Sequence, residues 1–530
     1  LPNIPSQRSP LGFFHSAAPA AVAAEVLRRL AEPLYVTADG TFHHGGGNAA
    51  AQPFVGLATP LPLESLGDRS FCRDLGLLFP YVGGSMAKGI SSAAMVEAFA
   101  YAGMLGFYGA AGLPLVEVEA NLTRLAALGA RPWGVNLIHS PSEPDLEAAL
   151  VELYLARGVR LIEASAFLAL SLPLVRYRTA GIHRAADGSI VTPQRIIAKI
   201  SREEIAARFM APPPEKLLRE LVAAGQLSSE QAELAKAIPM AQDITVEADS
   251  GGHTDNRPAI AMFPTMLALK DESQRLHGYA QPLRLGLGGG ISTPAAAAAA
   301  FAMGAAWLVT GTVNQACIES GTCDEVRALL AETRQADVTM APSGDMFEMG
   351  VNVQVVKRGT MFAMRAAKLY DLYRAHGSLD EIPTAERDKL EKSIFQKSFD
   401  QVWSDTERYF AGRDPRQNER AARDPKHKMA LVFRWYLGQS PVWANRGEAG
   451  RKMDYQIWCG PAMGAFNEWS KGSFLETPAR REVVTVAYNL LFGAALQQRA
   501  NQLRSQGFPL ADSTTLTAPL ELSRIKEYLR

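Results

Sequence analysis

His253 is the residue best equipped for chemistry, because it follows a strand-like run and a glycine pair in Glu247-Ala248-Asp249-Ser250-Gly251-Gly252-His253-Thr254-Asp255. An imidazole titrates near neutral pH and can give or take a proton. The glycines Gly251 and Gly252 let backbone approach a bound ligand. Asp249 and Asp255 are close enough in sequence to orient the ring or to cap the turn that follows. Two further glycine turns belong with this one. Leu285-Gly286-Leu287-Gly288-Gly289-Gly290-Ile291 and Leu308-Val309-Thr310-Gly311-Thr312 each end an apolar run in small residues. Backbone amides at such strand ends hold phosphate where a helix begins, so Gly289, Gly290, Gly311 and Thr312 read as a phosphate cradle. Neither turn has the Lys-Ser/Thr of a P-loop or the spacing of a dinucleotide fingerprint. A mononucleotide with a single phosphate is the economical ligand.

Flavin mononucleotide (FMN) needs more than a phosphate site. Its ring is hydrogen-bonded along the pyrimidine edge, and its reduced, anionic form favours a nearby cation. Gly84, Ser85 and Met86 close one apolar run, Asn136 lies in another, and Lys199 interrupts Ile196-Ile197-Ala198-Lys199-Ile200. A lysine in an apolar strand is costly unless it reaches a negative partner or the mouth of the fold.

The elements that must position these residues form a regular series. The strand-like runs are Leu77 to Val82, Leu105 to Tyr108, Pro132 to Ile138, Val159 to Ala164, Arg195 to Ile200, Ile244 to Ala248, Leu283 to Leu287 and Ala306 to Thr310. Helical spacing fills the gaps, for example from Ser92 to Ala102 and from Pro294 to Met303. Eight alternating units predict an α/β fold, a (β/α)8 TIM barrel over 75–200 and 241–338, with an open doubly wound sheet as the alternative. Residues 201–240 predict a helical insertion after the fifth strand, either a stabilising extension or a cap over the barrel mouth. Residues 1–74, with Phe42-His43-His44-Gly45-Gly46-Gly47, predict an irregular or β-rich appendage. From 339 to 530 a helical region is expected. Between Ala411 and Tyr455 it carries ten Lys or Arg residues against five Asp or Glu, interleaved with Trp435, Tyr436 and Trp443. That stretch reads either as a solvated helical face over buried aromatics or as a docking surface for an acidic partner.

Composition narrows the class. The 54 basic residues balance 54 acidic ones, which speaks against a nucleic-acid or polybasic membrane role. Cys72, Cys317, Cys323 and Cys459 make no zinc-type pairs and no disulfide framework, so a metal site is not expected and a reducing, cytoplasmic setting is. No apolar run approaches the roughly 20 residues of a membrane span, and the alanine-rich opening lacks a basic leader.

Five ordered motifs carry a family resemblance: Tyr81 to Ile90 (YVGGSMAKGI), Glu247 to Pro258 (EADSGGHTDNRP), Gly286 to Pro294 (GLGGGISTP), Thr310 to Gln315 (TGTVNQ) and Ala341 to Gly350 (APSGDMFEMG). Together they resemble the trans-acting enoyl reductases of polyketide and polyunsaturated fatty acid synthases, within the nitronate monooxygenase-like flavoproteins. The resemblance covers roughly Leu75 to Arg374 well and the rest more loosely. It implies an FMN-bearing barrel that takes hydride from NADPH or NADH and reduces 2-enoyl thioesters on an acyl carrier protein. It also implies that Gly289, Gly290, Gly311 and Thr312 hold the FMN phosphate, while Gly84, Met86, Asn136 and Lys199 surround the ring. Gly251, Gly252 and His253 would lie beside it, with His253 the proton donor to the α carbon, and the cap reading of 201–240 gains weight. A nitronate monooxygenase-type oxidase would use the same groups with His253 as base and O2 as acceptor. A synthase docking component is the reading from outside enzymology. No dinucleotide-binding fold is evident, so NAD(P)H is expected to share the cleft with substrate in alternate half-reactions.

Overall fold

In the computed structural model, residues 20–38, 40–44, 54–141, 143–508, 510 and 518–530 are described. The alanine-rich opening to residue 19 and the Gly45-Gly46-Gly47 run lie outside the described residues. Eight strands close into a barrel: Tyr81–Gly83, Leu105–Tyr108, Gly134–Ile138, Leu161–Ser165, Arg195–Ile200, Asp243–Glu247, Arg284–Gly288 and Leu308–Thr310. Each pairs in parallel with the next in sequence, and Leu308 opposite Tyr81 completes the circle. These are the strand-like runs of the sequence in the same order. The intervening helices start where the chain supplies caps. Ser92 accepts from the Met95 amide, and Thr293 from the Ala296 amide with Pro294 at the first helical position.

The N-terminal end of the barrel is plugged. Helix Arg69–Leu75 inserts Phe71, whose ring stacks on Trp307 at 4.1 Å between centroids. Gly286 makes room for that indole, since a Cβ there would lie 2.1 Å from it. Arg284 closes the plug with 2.7 Å ion pairs to Asp243 and Asp74. With one end filled by side chains, the large cleft opens at the C-terminal strand ends, as barrels of this kind arrange it.

The segment 201–240 is helical but does not cap the mouth, which corrects that expectation. Helix Glu203–Met210 packs on Ala259–His277, while Glu215–Ala223 and Ser229–Ala235 pack on Leu172–Thr179 in the outer ring. The cause is local: Leu218 and Leu221 form one apolar stripe that is buried against the barrel flank, and buried Arg178 fixes the returning chain through the Pro239 carbonyl at 3.1 Å. Of this segment, Ser201, Arg202 and Ile205 reach the cleft.

The region after the barrel is not purely helical either. Val338–Pro342 and Asn352–Val356 pair antiparallel, and Asn352–Val356 also pairs with the short strand Gly252–His253. Helices Phe362–Ala375, Phe399–Arg413 and Pro425–Arg446 then build a second apolar core around Phe362, Phe395, Phe399, Phe433 and Tyr436. The chain returns to the barrel through helix Val483–Ser505, which lies along the alanine-rich Pro294–Ala302. Its far end carries a three-stranded sheet made by Phe42–His44, Leu34–Thr37 and Phe54–Ala58. Among the described residues no helix is long and apolar enough to cross a membrane.

Candidate active site

A cleft of about 1650 Å³ opens between the C-terminal strand ends and the second helical core. That exceeds the roughly 300–1,000 Å³ of an ordinary ligand pocket. Eleven of the residues singled out by sequence line it: Gly84, Met86, Asn136, Lys199, Gly251, Gly252, His253, Gly289, Gly290, Gly311 and Thr312, whereas Asp249 does not. Its cover is formed by residues of 343–353 and of helices Phe399–Arg413 and Pro425–Arg446 rather than by the insertion.

The glycine turns differ in what they do. At Gly289, φ is +86° and a Cβ would come within 2.6 Å of the Ala248 backbone, so glycine is demanded by the fold. At Gly251 a Cβ would lie 2.8 Å from the Cys459 backbone, so this glycine lets the C-terminal segment dock. At Gly290 and Gly311 a Cβ meets nothing within 4 Å, although Gly290, with φ +77°, still needs glycine for its backbone. Their backbones face open cleft at adjoining strand ends, with Thr312 starting a short helix behind Gly311.

Across the cleft, Lys199 answers the condition its sequence context set. Its Nζ lies 3.5 Å from Glu247 and 3.9 Å from Glu163. Burial alone would pull the lysine down, but the two carboxylates outweigh it and raise its pKa. Burial pushes Glu163 up against the pull of Lys199 and Ser85. Ser85 donates to Glu163 from both its amide, at 3.0 Å, and its hydroxyl. Asn136 belongs to the same wall, donating to the Glu163 carbonyl at 3.2 Å and to Ser165 at 3.1 Å.

His253 is held by partners that its own neighbourhood did not reveal. Its Nε2 lies 3.2 Å from Asp345 Oδ1 and 3.2 Å from Ser343 Oγ, and Ser343 also donates to Asp345. Burial lowers the imidazole, yet the Asp345 charge and hydrogen bond more than reverse this, so its pKa is raised. Asp345 in turn is pushed up by burial but held well below the usual carboxylate range by His253 and Ser343. The candidates Asp249 and Asp255 do not touch the ring. Asp249 accepts from Asn256 and Gln354, and Asp255 from Ser201 and Arg202. Asp345 sits in the Ala341 to Gly350 motif, which was visible in sequence without a role. Glu163 was signalled by the same oddity that marked Lys199, a charge inside an apolar strand.

The basic stretch from Ala411 to Tyr455 is largely tied down. Arg413 pairs with Glu143, Arg434 with the Gly344 carbonyl and Glu348, and buried Arg451 with Asp454. Arg434, a docking candidate by sequence, therefore lies in the cleft wall.

Barrel, plugged base, open strand-end cleft and polarised His–Asp pair define a class: a (β/α)8 protein whose site is assembled from strand ends and roofed by a helical region. Its relatives narrow that class. The enoyl reductase domain of MlnA from the macrolactin biosynthesis cluster of Bacillus amyloliquefaciens is 39% identical, superposes with a TM-score of 0.79, and is matched over 84% of this chain and 100% of that one. A component of the polyunsaturated fatty acid synthase of Thraustochytrium sp. is 48% identical over 490 residues, 90% of this chain and 33% of that protein. Polyketide biosynthesis protein PksE of Bacillus subtilis is 43% identical over 435 residues, 82% of this chain and 56% of that protein. The chain thus spans only part of the length of these curated relatives. Residues 376–455 match the profile of the inserted helical domain of [acyl-carrier-protein] S-malonyltransferase. The chain belongs to the family of the MlnA enoyl reductase domain, and it is similar to components of polyketide and polyunsaturated fatty acid synthases.

Proposed function

We propose that the chain is an FMN-dependent enoyl reductase. It takes hydride from NADPH or NADH and saturates the α,β double bond of a 2-enoyl thioester carried on an acyl carrier protein. The observation that carries this reading is the His253–Asp345 pair, which favours the protonated form of an imidazole in the wall of a cleft that also holds an open glycine cradle.

The residues fit the cofactor. Gly290 and Gly311 leave space where side chains would otherwise stand, suiting amide contacts to a phosphate, with Gly289 and Thr312 beside them. Gly84, Met86, Asn136 and Lys199 would surround the ring, Lys199 bringing a cation held in place by Glu163 and Glu247. Bound there, FMN would supply a two-electron carrier between nicotinamide and the β carbon of the substrate.

The protein's own part is proton delivery and positioning. Nε2 of His253 is engaged by Asp345 and Ser343, so Nδ1 is the nitrogen left to give a proton to the α carbon as hydride reaches the β carbon. Asp345 holds the ring in place and stabilises its protonated form.

Product analysis tests the proposal. Under nitrogen, with crotonyl thioester on a carrier protein and NADPH, the saturated thioester should appear by mass spectrometry in step with NADPH loss. Turnover of nitroalkanes in air, with the crotonyl thioester untouched, would favour the oxidase instead.

A further inference from the structure

Most cations of the cleft have an anion. Lys199 has Glu247 and Glu163, Arg202 has Asp255, Arg413 has Glu143 and Arg434 has Glu348. Lys88 and Arg446 line the same cleft and make no ion pair among the described residues. An ammonium carries three donors, and Lys88 uses one, to the Gly112 carbonyl at 3.1 Å. The acids nearby are already committed, Glu143 to Arg413 through a 3.0 Å bond and Asp345 to His253 at 3.2 Å. Burial pulls Lys88 down and Arg413 adds to this, and the pull of Glu143 and Asp345 in the other direction does not offset them. A charge left in a cleft wall without a paired counter-ion is unfavourable.

The backbone at Lys88 is held in place. Its φ is 59°, the left-handed region that a residue with a Cβ seldom adopts. Its amide donates to the Ala111 carbonyl at 2.8 Å, its carbonyl accepts from Asn445 at 3.2 Å, and the Gly89 amide donates to Gly109 at 2.9 Å. Such conformations persist when the surroundings over-determine them, and they gather at ligand clamps. Asn445 immediately precedes Arg446, which ends helix Pro425–Arg446. One hydrogen bond therefore ties the barrel loop bearing Lys88 to the end of the roof helix bearing Arg446.

We propose that Lys88 and Arg446 form a second anion site, apart from the glycine cradle, that takes a phosphate of an incoming substrate. The inference rests on the enoyl reductase reading for its two sources. One is the 2′-phosphate of the nicotinamide dinucleotide; the other is the phosphodiester of a phosphopantetheine arm. Both present a compact anion that a lysine and an arginine from facing walls can hold.

The test uses the flavin-loaded full chain and its Lys88→Met, Lys88→Arg and Arg446→Gln variants. Equilibrium binding is measured for matched pairs that differ in a phosphate: NADPH against NADH, and crotonyl-phosphopantetheine against crotonyl-pantetheine. Inorganic pyrophosphate is titrated into the wild type as a competitor. Lys88→Met should weaken the phosphate-bearing member of at least one pair by about tenfold more than its partner, as loss of a charged contact does. Arg446→Gln should act in the same sense, Lys88→Arg should recover most of the loss, and pyrophosphate should compete. The pair that responds identifies the source; a response in the dinucleotide pair points to the 2′-phosphate. Equal changes in both members of both pairs would overturn the site. So would loss of bound flavin in Lys88→Met, which would assign the lysine to the cofactor. Because binding is read without turnover, a chain that binds these ligands through Lys88 yet reduces no enoyl thioester would overturn the enoyl reductase reading and leave the site standing.

Discussion

At the scale of single residues, the His253–Asp345 pair makes the sharpest prediction. The folded protein raises the His253 pKa, so the acid form is complete at low pH and is lost as pH rises through that raised value. The kcat for enoyl reduction should therefore fall on the alkaline side. Asp345→Asn should move that limb to lower pH, because the anion that holds the proton is gone; an unmoved limb would place the titrating group elsewhere. His253→Ala should lower kcat for enoyl reduction by about 100-fold or more, the ordinary worth of a general acid, with flavin reduction by NADPH spared. The glycines give a contrast of their own. Gly289→Ala forces a Cβ to within 2.6 Å of the Ala248 backbone and should cost about 1–3 kcal/mol, read as a lowered Tm. Gly311→Ala has open space before it, so the Tm should hold while the flavin absorbance of the purified protein drops.

At the scale of elements, legibility followed the range of the forces involved. The barrel strands were readable because parallel strands buried on both faces are short apolar runs, and Ser92 and Thr293 announced helix starts in the same way. The site glycines were readable for a related reason, since they stand directly after such runs. What escaped was set by distant partners. The insertion at 201–240 shows its helices in sequence, but only its packing against Leu172–Thr179 and Ala259–His277 shows that it joins the outer ring. The strands Val338–Pro342 and Asn352–Val356 were missed because Asn352–Val356 lies between Val338–Pro342 and the distant Gly252–His253. Asp345 went unassigned for the same cause: it meets the imidazole through that small sheet rather than through proximity in the chain. One attachment is testable at this scale. Buried Arg499 on helix Val483–Ser505 donates to the carbonyls of Leu27, Arg29 and Glu32, linking this helix to the segment before the small N-terminal sheet. Arg499→Leu takes this donor from all three carbonyls and leaves Arg29's with the Glu32 amide, so limited proteolysis should cut within residues 24–58 while the barrel stays intact. Resistance equal to the wild type would show that packing alone holds the sheet.

At the scale of the whole molecule, one core closes the base of a barrel and a second roofs its mouth, and the candidate site lies between them. A single large cleft has a kinetic consequence. If dinucleotide and thioester use it in turn, double-reciprocal plots at several NADPH concentrations should be parallel; intersecting lines would require both to be bound together. The central claim is that this cleft passes hydride from NADPH to an enoyl thioester through a bound flavin, and an anaerobic stopped-flow experiment tests it most directly. The purified protein is reduced with one equivalent of NADPH and mixed with crotonyl thioester on carrier protein. The account predicts bleaching of an oxidised flavin spectrum in the first step and its return within the turnover time in the second. A protein without flavin, or a flavin that stays reduced until oxygen is admitted, would contradict it.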